Sequence, residues 1–400
     1  MVGMSLRTPR PWLMLVVAGG SQAATGILLA APAYLIPLLH TERGLGLVEA
    51  ALLATAPHVG VLATLILWGA AVDRWGERLI LVLGLLVAVA GAIAATLTED
   101  YAVLAVAFVL CGAGSSATSS TSGRIVIGWF PPERRGFAMG LRQMAPPIGT
   151  AAGALLVPPL VTGNAIWPPF AVGAVVVAVF AALSTTFIVN PARPAGPVDA
   201  EGRPANPYRG DVTLLRIHLA SALLHVPQFA LTTFGLVWLI ADQGWDPVAA
   251  GLLVGAAQIV GALGRVGIGM LSDRIGSRLR PLRQVAVVGV PLLLLTAVAG
   301  WTHQPIAVAV LFVLASTVSV ADNGLAFTAV AEIAGPHWSG RALGTQNTGQ
   351  AVTAVLVGPA VGALIGLVGY SGMLALLALT PAAAIPLVPR DAADPEPVAG

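Results

Sequence analysis

The stretch GAAVDRWGER, Gly69–Arg78, is written twice: it returns two hundred residues later as GMLSDRIGSR, Gly269–Arg278. Both copies read Gly-x-x-x-Asp-Arg-x-Gly-x-Arg at identical spacing, and each closes one long apolar run and opens another. A repeat at half the chain length, inside apolar sequence, indicates two related halves rather than an array of small repeats.

Composition agrees with a chain built for lipid. Of 400 residues, 57% are hydrophobic and only 10% charged, where soluble domains carry about a quarter charged. Apolar runs of about 20 residues recur from end to end, each long enough to cross ~30 Å of hydrocarbon. The run beginning near Trp12 is too long, and too closely followed by others, for a cleaved signal peptide. The single cysteine, Cys111, leaves no disulfide or cysteine metal site within the chain. All 20 basic residues are arginine. Without lysine there is neither a Walker-A loop nor Schiff-base chemistry. The six histidines, at 40, 58, 218, 225, 303 and 337, form no His-x-x-x-His pair, and no G-x-S-x-G elbow occurs. The sequence therefore predicts no enzyme, no cofactor, no metal and no nucleic-acid partner.

Twelve spans are expected, roughly at 12–38, 46–71, 79–97, 102–128, 137–160, 167–189, 213–240, 247–271, 282–300, 305–331, 342–366 and 369–389. Residues 190–212, rich in proline, glycine and charge, read as a flexible linker. The predicted organisation is an N-terminal six-helix bundle (1–189), the linker, a C-terminal six-helix bundle (213–389) and a tail (390–400). The fold class is thus an all-α membrane protein of twelve transmembrane helices in two pseudo-symmetric bundles. Arg7, Arg10, Arg74, Arg78, Arg134, Arg135, Arg193, Arg203, Arg209, Arg274, Arg278, Arg280, Arg283, Arg341 and Arg390 fall on one face. The opposite loops carry Glu42, Arg43, Glu99, Asp100, Asp242, Asp246 and His303. Positive charge stays inside, so both termini and the linker are predicted cytoplasmic, in the cytoplasmic membrane of a bacterium.

The halves correspond further. Shifted by 204, Gly136, Ala138 and Gly140 fall on Gly340, Ala342 and Gly344, and Arg142 and Gln143 on Gln346 and Asn347. The doubled loop after spans two and eight, with WFPPERRGFAMG entering span five, resembles the signature of the major facilitator superfamily across almost the whole chain. The resemblance implies alternating access, with spans 1, 4, 7 and 10 lining a cavity and 2, 5, 8 and 11 between the halves. It implies a monomer. It also implies that Asp73, Arg74, Gly76 and Arg78, with Asp273, Arg274, Gly276 and Arg278, latch the cytoplasmic side. A carboxylate at the end of span two or eight can meet a helix N-terminus, starting near Ser339–Gly340 or near Gly136, and an arginine. Arg124 is a partner for Asp73 or a snorkelling anchor.

Polar groups inside spans are functional candidates by default. Ser221, His225, Gln228 and Thr232 lie at i, i+4, i+7 and i+11, one helical stripe that either lines a cavity or packs against a neighbouring helix. Span ten carries Ser316, Ser319, Asp322 and Asn323. Asp322, deep in its span, is the candidate for proton coupling, or else a fixed partner of an arginine. Span four holds the hydroxyl-rich Ser115–Gly123, and span one Ser21, Gln22 and Thr25. His58 beside Pro57 reads more readily as an interface residue.

Two arginines carry the substrate argument. Arg265 lies eight residues before Asp273, roughly 12 Å from the loop at about 1.5 Å per residue, and Arg142 enters span five after Gly140. A guanidinium needs a carboxylate partner or an anionic ligand, and its fork suits planar oxyanions. Arg265 resembles the span-eight arginine of the oxalate–formate, monocarboxylate and nitrate branches. The equivalent position in span two is Leu65, which departs from a paired-arginine nitrate site. The expected function is secondary transport of a small anion by Arg265, Arg142, His225, Gln228, Asn323, Gln22 and Gln346, coupled to protons or a counter-anion as symporter or antiporter. The alternative is proton-driven efflux of lipophilic or drug-like compounds.

Overall fold

A computed structural model describes residues 10–36, 38–161, 165–192 and 205–390. Arg7, Arg193 and Arg203, most of the expected linker and the tail beyond Arg390 lie outside the described residues.

Helices make up the regular structure among the described residues. The first are α1 (Pro11–Tyr34), α2 (Leu47–Trp75), α3 (Glu77–Thr96), α4 (Tyr101–Ser115), α5 (Ala117–Trp129), α6 (Pro132–Arg142), α7 (Ala145–Leu160) and α8 (Pro168–Phe187). After the linker come α9 (Thr213–Val237), α10 (Pro247–Ile275), α11 (Leu279–Trp301), α12 (Pro305–Ser319), α13 (Asp322–Ala334), α14 (Ser339–Leu377) and α15 (Leu379–Leu387). Ten helical stretches among the described residues are long and apolar enough to cross a membrane. Two features bear on the expected twelve. The stretch Ser339–Leu387 runs 49 residues, about twice what ~30 Å of hydrocarbon requires, and Gly369 at φ 73° and ψ 175° divides it. Within the expected fifth span, 137–160, the helix is interrupted at Gln143–Met144, between α6 and α7.

Breaks and distortions recur at the repeat offsets. A π-helical turn follows α1 at Leu38–Glu42 and α9 at Trp238–Asp242. Span four breaks at Ser116 and span ten at Val320–Ala321. Hydroxyls at these points bond backward to backbone carbonyls, Ser116 to Ala113 at 2.9 Å and Ser319 to Ser316 at 2.9 Å. Such bonds compete with the helical ladder and bend it. Asp100 and Asp246, on the acidic face, cap α4 and α10 through the N–H groups of Ala102 and Val103, and of Val248 and Ala249.

The chain forms two compact units: residues 1–130, 144–196 and 336–344, and residues 131–143, 197–335 and 345–400. The first is packed around Leu28, Leu81, Phe108, Phe170 and Val177, with Phe108 stacked on Phe170 at 4.9 Å. Gly26 and Gly149 let α1 and α7 touch by backbone: a Cβ on Gly26 would lie 3.0 Å from the Gly149 Cα. The second is packed around Trp238, Leu293, Val308, Phe312 and Leu374. Large side chains such as Leu155, Leu252 and Ile306 face outward, as a lipid-facing surface requires.

Candidate functional site

Each repeat builds a carboxylate latch. In the first unit Asp73 accepts the N–H groups of Gly340 (2.8 Å) and Arg341 (2.9 Å), the orphan donors at the start of α14. Arg124 donates from Nη1 to Asp73 at 2.5 Å and from Nε to Glu77 at 2.6 Å. It also reaches the Ser339 hydroxyl and the Pro336 carbonyl. All three charged side chains are at most 4% exposed.

In the second unit Asp273 accepts from Gly136 (2.9 Å) and Phe137 (2.8 Å) at the start of α6. Its arginine is Arg278, at 2.6 Å, which also meets Glu332, as does Arg135. The two latches therefore exchange the origin of their charges. In the first, the carboxylate Glu77 comes from the loop and Arg124 from span four; in the second, Arg278 comes from the loop and Glu332 from span ten. The second is also wetter. Glu332 is 23% exposed, beside a cleft of ≈ 420 Å³ lined by Glu133, Asp273, Arg278 and Glu332.

Arg74 and Arg274 are exposed, Arg74 lying over the Trp75 ring at 5.3 Å. The Arg78 side chain is exposed, while its backbone N–H bonds Asn190 at 2.9 Å. Gly76 and Gly276 end α2 and α10 at φ 92° and 70°, backbone that favours glycine. His58 is exposed on α2.

A polar chain runs through the second unit. Gln350 donates to Ser221 (3.2 Å) and to Asn323 Oδ1 (2.8 Å), and Ser221 donates to Asp322 Oδ2 (3.3 Å). Asn323 donates to Gln228 Oε1 (3.0 Å), which His225 Nδ1 meets at 3.2 Å. An amide oxygen only accepts, so His225 carries a proton on Nδ1. Thr232 bonds its own helix at the Gln228 carbonyl and stays outside this chain. One turn nearer the arginine-rich face, Tyr208 donates to His218 Nε2 (2.9 Å), and His218 Nδ1 donates to Gln346 Oε1 (2.5 Å).

Three buried polar atoms here lack a hydrogen-bond partner among the described residues: Asp322 Oδ1, Gln346 Nε2 and Arg265 Nε. Arg265 and Asp322 form no ion pair among the described residues, although the arginine's charge acts on both Asp322 and His225. Arg265 donates from Nη1 to the Gln143 carbonyl at 3.2 Å. Arg142 is enclosed, its guanidinium 5.4 Å over the Phe327 ring and bonded to Gln143 Oε1 at 2.6 Å. In the first unit Gln22 sits between Ser119 and Ser122, at 3.4 and 3.5 Å.

The model of the Major Facilitator Superfamily matches residues 12–359. The chain belongs to this superfamily. It is a multi-pass membrane protein of the superfamily's all-helical fold, a secondary transporter and not an enzyme. Over 382 residues it is 42% identical to the uncharacterized MFS-type transporter Rv2994 of Mycobacterium tuberculosis, covering 94% of this chain and 84% of that protein. The hexuronate transporter of Bacillus subtilis is 22% identical over 248 residues, 60% of this chain and 59% of that one. Among solved structures, the human organic anion transporter MFSD10 (TETRAN) superposes with a TM-score of 0.73 at 17% identity, covering 96% of this chain and all of that one (100%).

Sequence reasoning about this superfamily member passed over Glu77, Glu332, His218 and Gln350. Glu77 falls on Ser277 in the second repeat, so matching the copies discards it. Gln350 was findable: it follows Gln346 by one helical turn on the same face.

Proposed function

We propose that this transporter carries a small anion, a carboxylate or similar oxyanion, across a bacterial cytoplasmic membrane, together with a proton or against a counter-anion. The observation that carries the reading is Arg265: it is 8% exposed, its Nε lacks a partner, and no carboxylate closes on it among the described residues. A buried guanidinium left this way attracts an anion strongly. Asp322, with Oδ2 held by Ser221 and Oδ1 without a partner, is the proton carrier. His225, Gln228, Asn323 and Gln346 complete the polar wall of the second unit, and Arg142 adds positive charge behind it. Gln22, set between Ser119 and Ser122 in the first unit, is a further candidate substrate contact. The names of the hexuronate and organic anion transporters support an anionic cargo.

The reading includes alternating access by a monomer with two six-helix halves, 1–189 and 213–389, joined at 190–212, and cytoplasmic termini. The latches around Asp73 and Asp273, flanked by Arg74 and Arg274, hold the cytoplasmic side. Efflux of lipophilic compounds would be favoured by Arg265 locked onto Asp322, and among the described residues the two make no ion pair.

The test is counterflow in proteoliposomes with formate, acetate, oxalate and nitrate beside lipophilic cations. One anion should accumulate in the wild type and be lost in Arg265→Ala. Unchanged anion uptake in that variant, or movement of the lipophilic cations alone, would sink the assignment.

A further inference from the structure

Span five breaks where its sequence reads Gln143-Met144-Ala145-Pro146-Pro147. In an unbroken helix the N–H of residue i bonds the carbonyl of residue i−4. Proline has no N–H, so Pro146 and Pro147 leave the carbonyls of Arg142 and Gln143 without their helical donors. The first bond of α7 runs from Ile148 N to the Met144 carbonyl, one residue beyond the gap.

The Gln143 carbonyl is taken instead by Arg265, from Nη1 at 3.2 Å. The approach is arranged by Gly140, three residues earlier. A Cβ there would lie 2.6 Å from the Arg265 carbonyl oxygen and 3.0 Å from the Val266 Cα. Only a glycine allows α6 to lie that close against α10.

This contact selects one edge of the guanidinium. With Nη1 tied to a neutral carbonyl, the end-on fork of Nη1 and Nη2 is spoken for. The side-on fork of Nε and Nη2 remains, and Nε is the buried atom without a partner. Parallel N–H groups on that edge match the two oxygens of a single carboxylate or planar oxyanion.

We propose that Pro147 is a positioning residue of the anion site: by freeing the Gln143 carbonyl it fixes Arg265 so that one carboxylate binds side-on at Nε and Nη2. The proposal rests on Arg265 being the anion contact. Pro146 is its internal control, because its missing N–H concerns the Arg142 carbonyl and not that of Gln143.

Two measurements separate the proposal from the functional reading. Concentration dependence of formate, acetate and oxalate counterflow is compared for wild type, Pro146→Ala and Pro147→Ala. Pro147→Ala, which returns an N–H to compete for the carbonyl, should raise KM about ten-fold, the worth of one hydrogen bond to a charged group. The maximal rate, and both parameters of Pro146→Ala, should stay within about two-fold on the same scale. Equal loss in both variants, loss in maximal rate alone, or loss in neither overturns the proposal. The second measurement needs no substrate: the melting midpoints of Pro147→Ala, Arg265→Ala and the double variant in detergent. Non-additive shifts support the carbonyl–guanidinium coupling, and additive shifts overturn it. If the wild type moves none of the probes while the shifts are non-additive, the anion reading falls and the positioning contact stands.

Discussion

Arg124 is the residue on which the first latch depends, because it is the ion-pair partner of two buried carboxylates, Asp73 and Glu77. Removing one partner of a buried ion pair leaves an uncompensated charge and costs about 3–5 kcal/mol. Arg124→Ala should therefore lower the unfolding midpoint in detergent sharply. Glu332→Gln should scarcely move it, since a pair at 23% exposure on one side contributes about 0–1 kcal/mol. Equal shifts in the two variants would contradict the burial argument. The repeat singled out Asp73 and Asp273 in the sequence, a place near the end of span four singled out Arg124 as a partner for Asp73, and depth in an apolar span singled out Asp322. Glu77 was hidden because its role depends on an arginine 47 residues away, a separation that no local pattern encodes. Asp322→Asn keeps an acceptor for Ser221 and removes the titratable proton. Anion counterflow without a gradient should persist in that variant, while accumulation driven by a pH gradient disappears. Retained pH-driven accumulation would take Asp322 out of the coupling role.

Among elements, what matters is how helix ends meet. A Cβ on Gly340 would run into the Gly69 carbonyl and the Asp73 carboxylate, and one on Gly136 into the Gly269 carbonyl. The glycines of the repeated string are thus contact points for backbone, not merely turns. Gly340→Ala should push the start of α14 off Asp73 and cut transport at least about ten-fold, the equivalent of one charge-assisted hydrogen bond. Gly276→Ala meets open space, and its cost is limited to about 1 kcal/mol of left-handed backbone strain. Initial transport rates and melting midpoints for the two variants check the contrast: the first should lose activity, the second mainly stability. Hydropathy located the spans but not their interruptions. The break at Ser116 opens the hydroxyl-rich tract Ser115–Gly123 and the one at Val320–Ala321 follows Ser316 and Ser319. Hydroxyls there turn back onto carbonyls, which a hydropathy average does not register as a break. The diproline of span five stands in the sequence as well, but hydropathy reads 137–160 as one uninterrupted span, and its consequence for Arg265 required the approach at Gly140 to be seen.

At the scale of the whole molecule, the duplication read from Gly69–Arg78 and Gly269–Arg278 extends to π-turns, helix breaks and latches, though not to the residues that fill them. The members of each latch have changed sides, and the first sets two carboxylates against Arg124 where the second sets two against Arg278 and Arg135. What both keep is a carboxylate and an arginine meeting a helix N-terminus, whichever segment supplies them. Sequence halves and compact units are also not the same partition. Residues 336–344 belong with the first unit and 131–143 with the second, so each latch is closed within its own unit. That closure has a thermodynamic consequence. Sites that share no partner contribute independently, within about 0.5 kcal/mol. Asp73→Asn and Asp273→Asn each remove a charge from a pair of backbone donors and an arginine, where each bond to a charged group contributes about 1.5–3 kcal/mol. The double variant should therefore show the sum of the two single destabilisations in denaturant unfolding. A double variant no less stable than the worse single one would mean that the two latches open as one cooperative element, and the independence of the repeats would have to be given up.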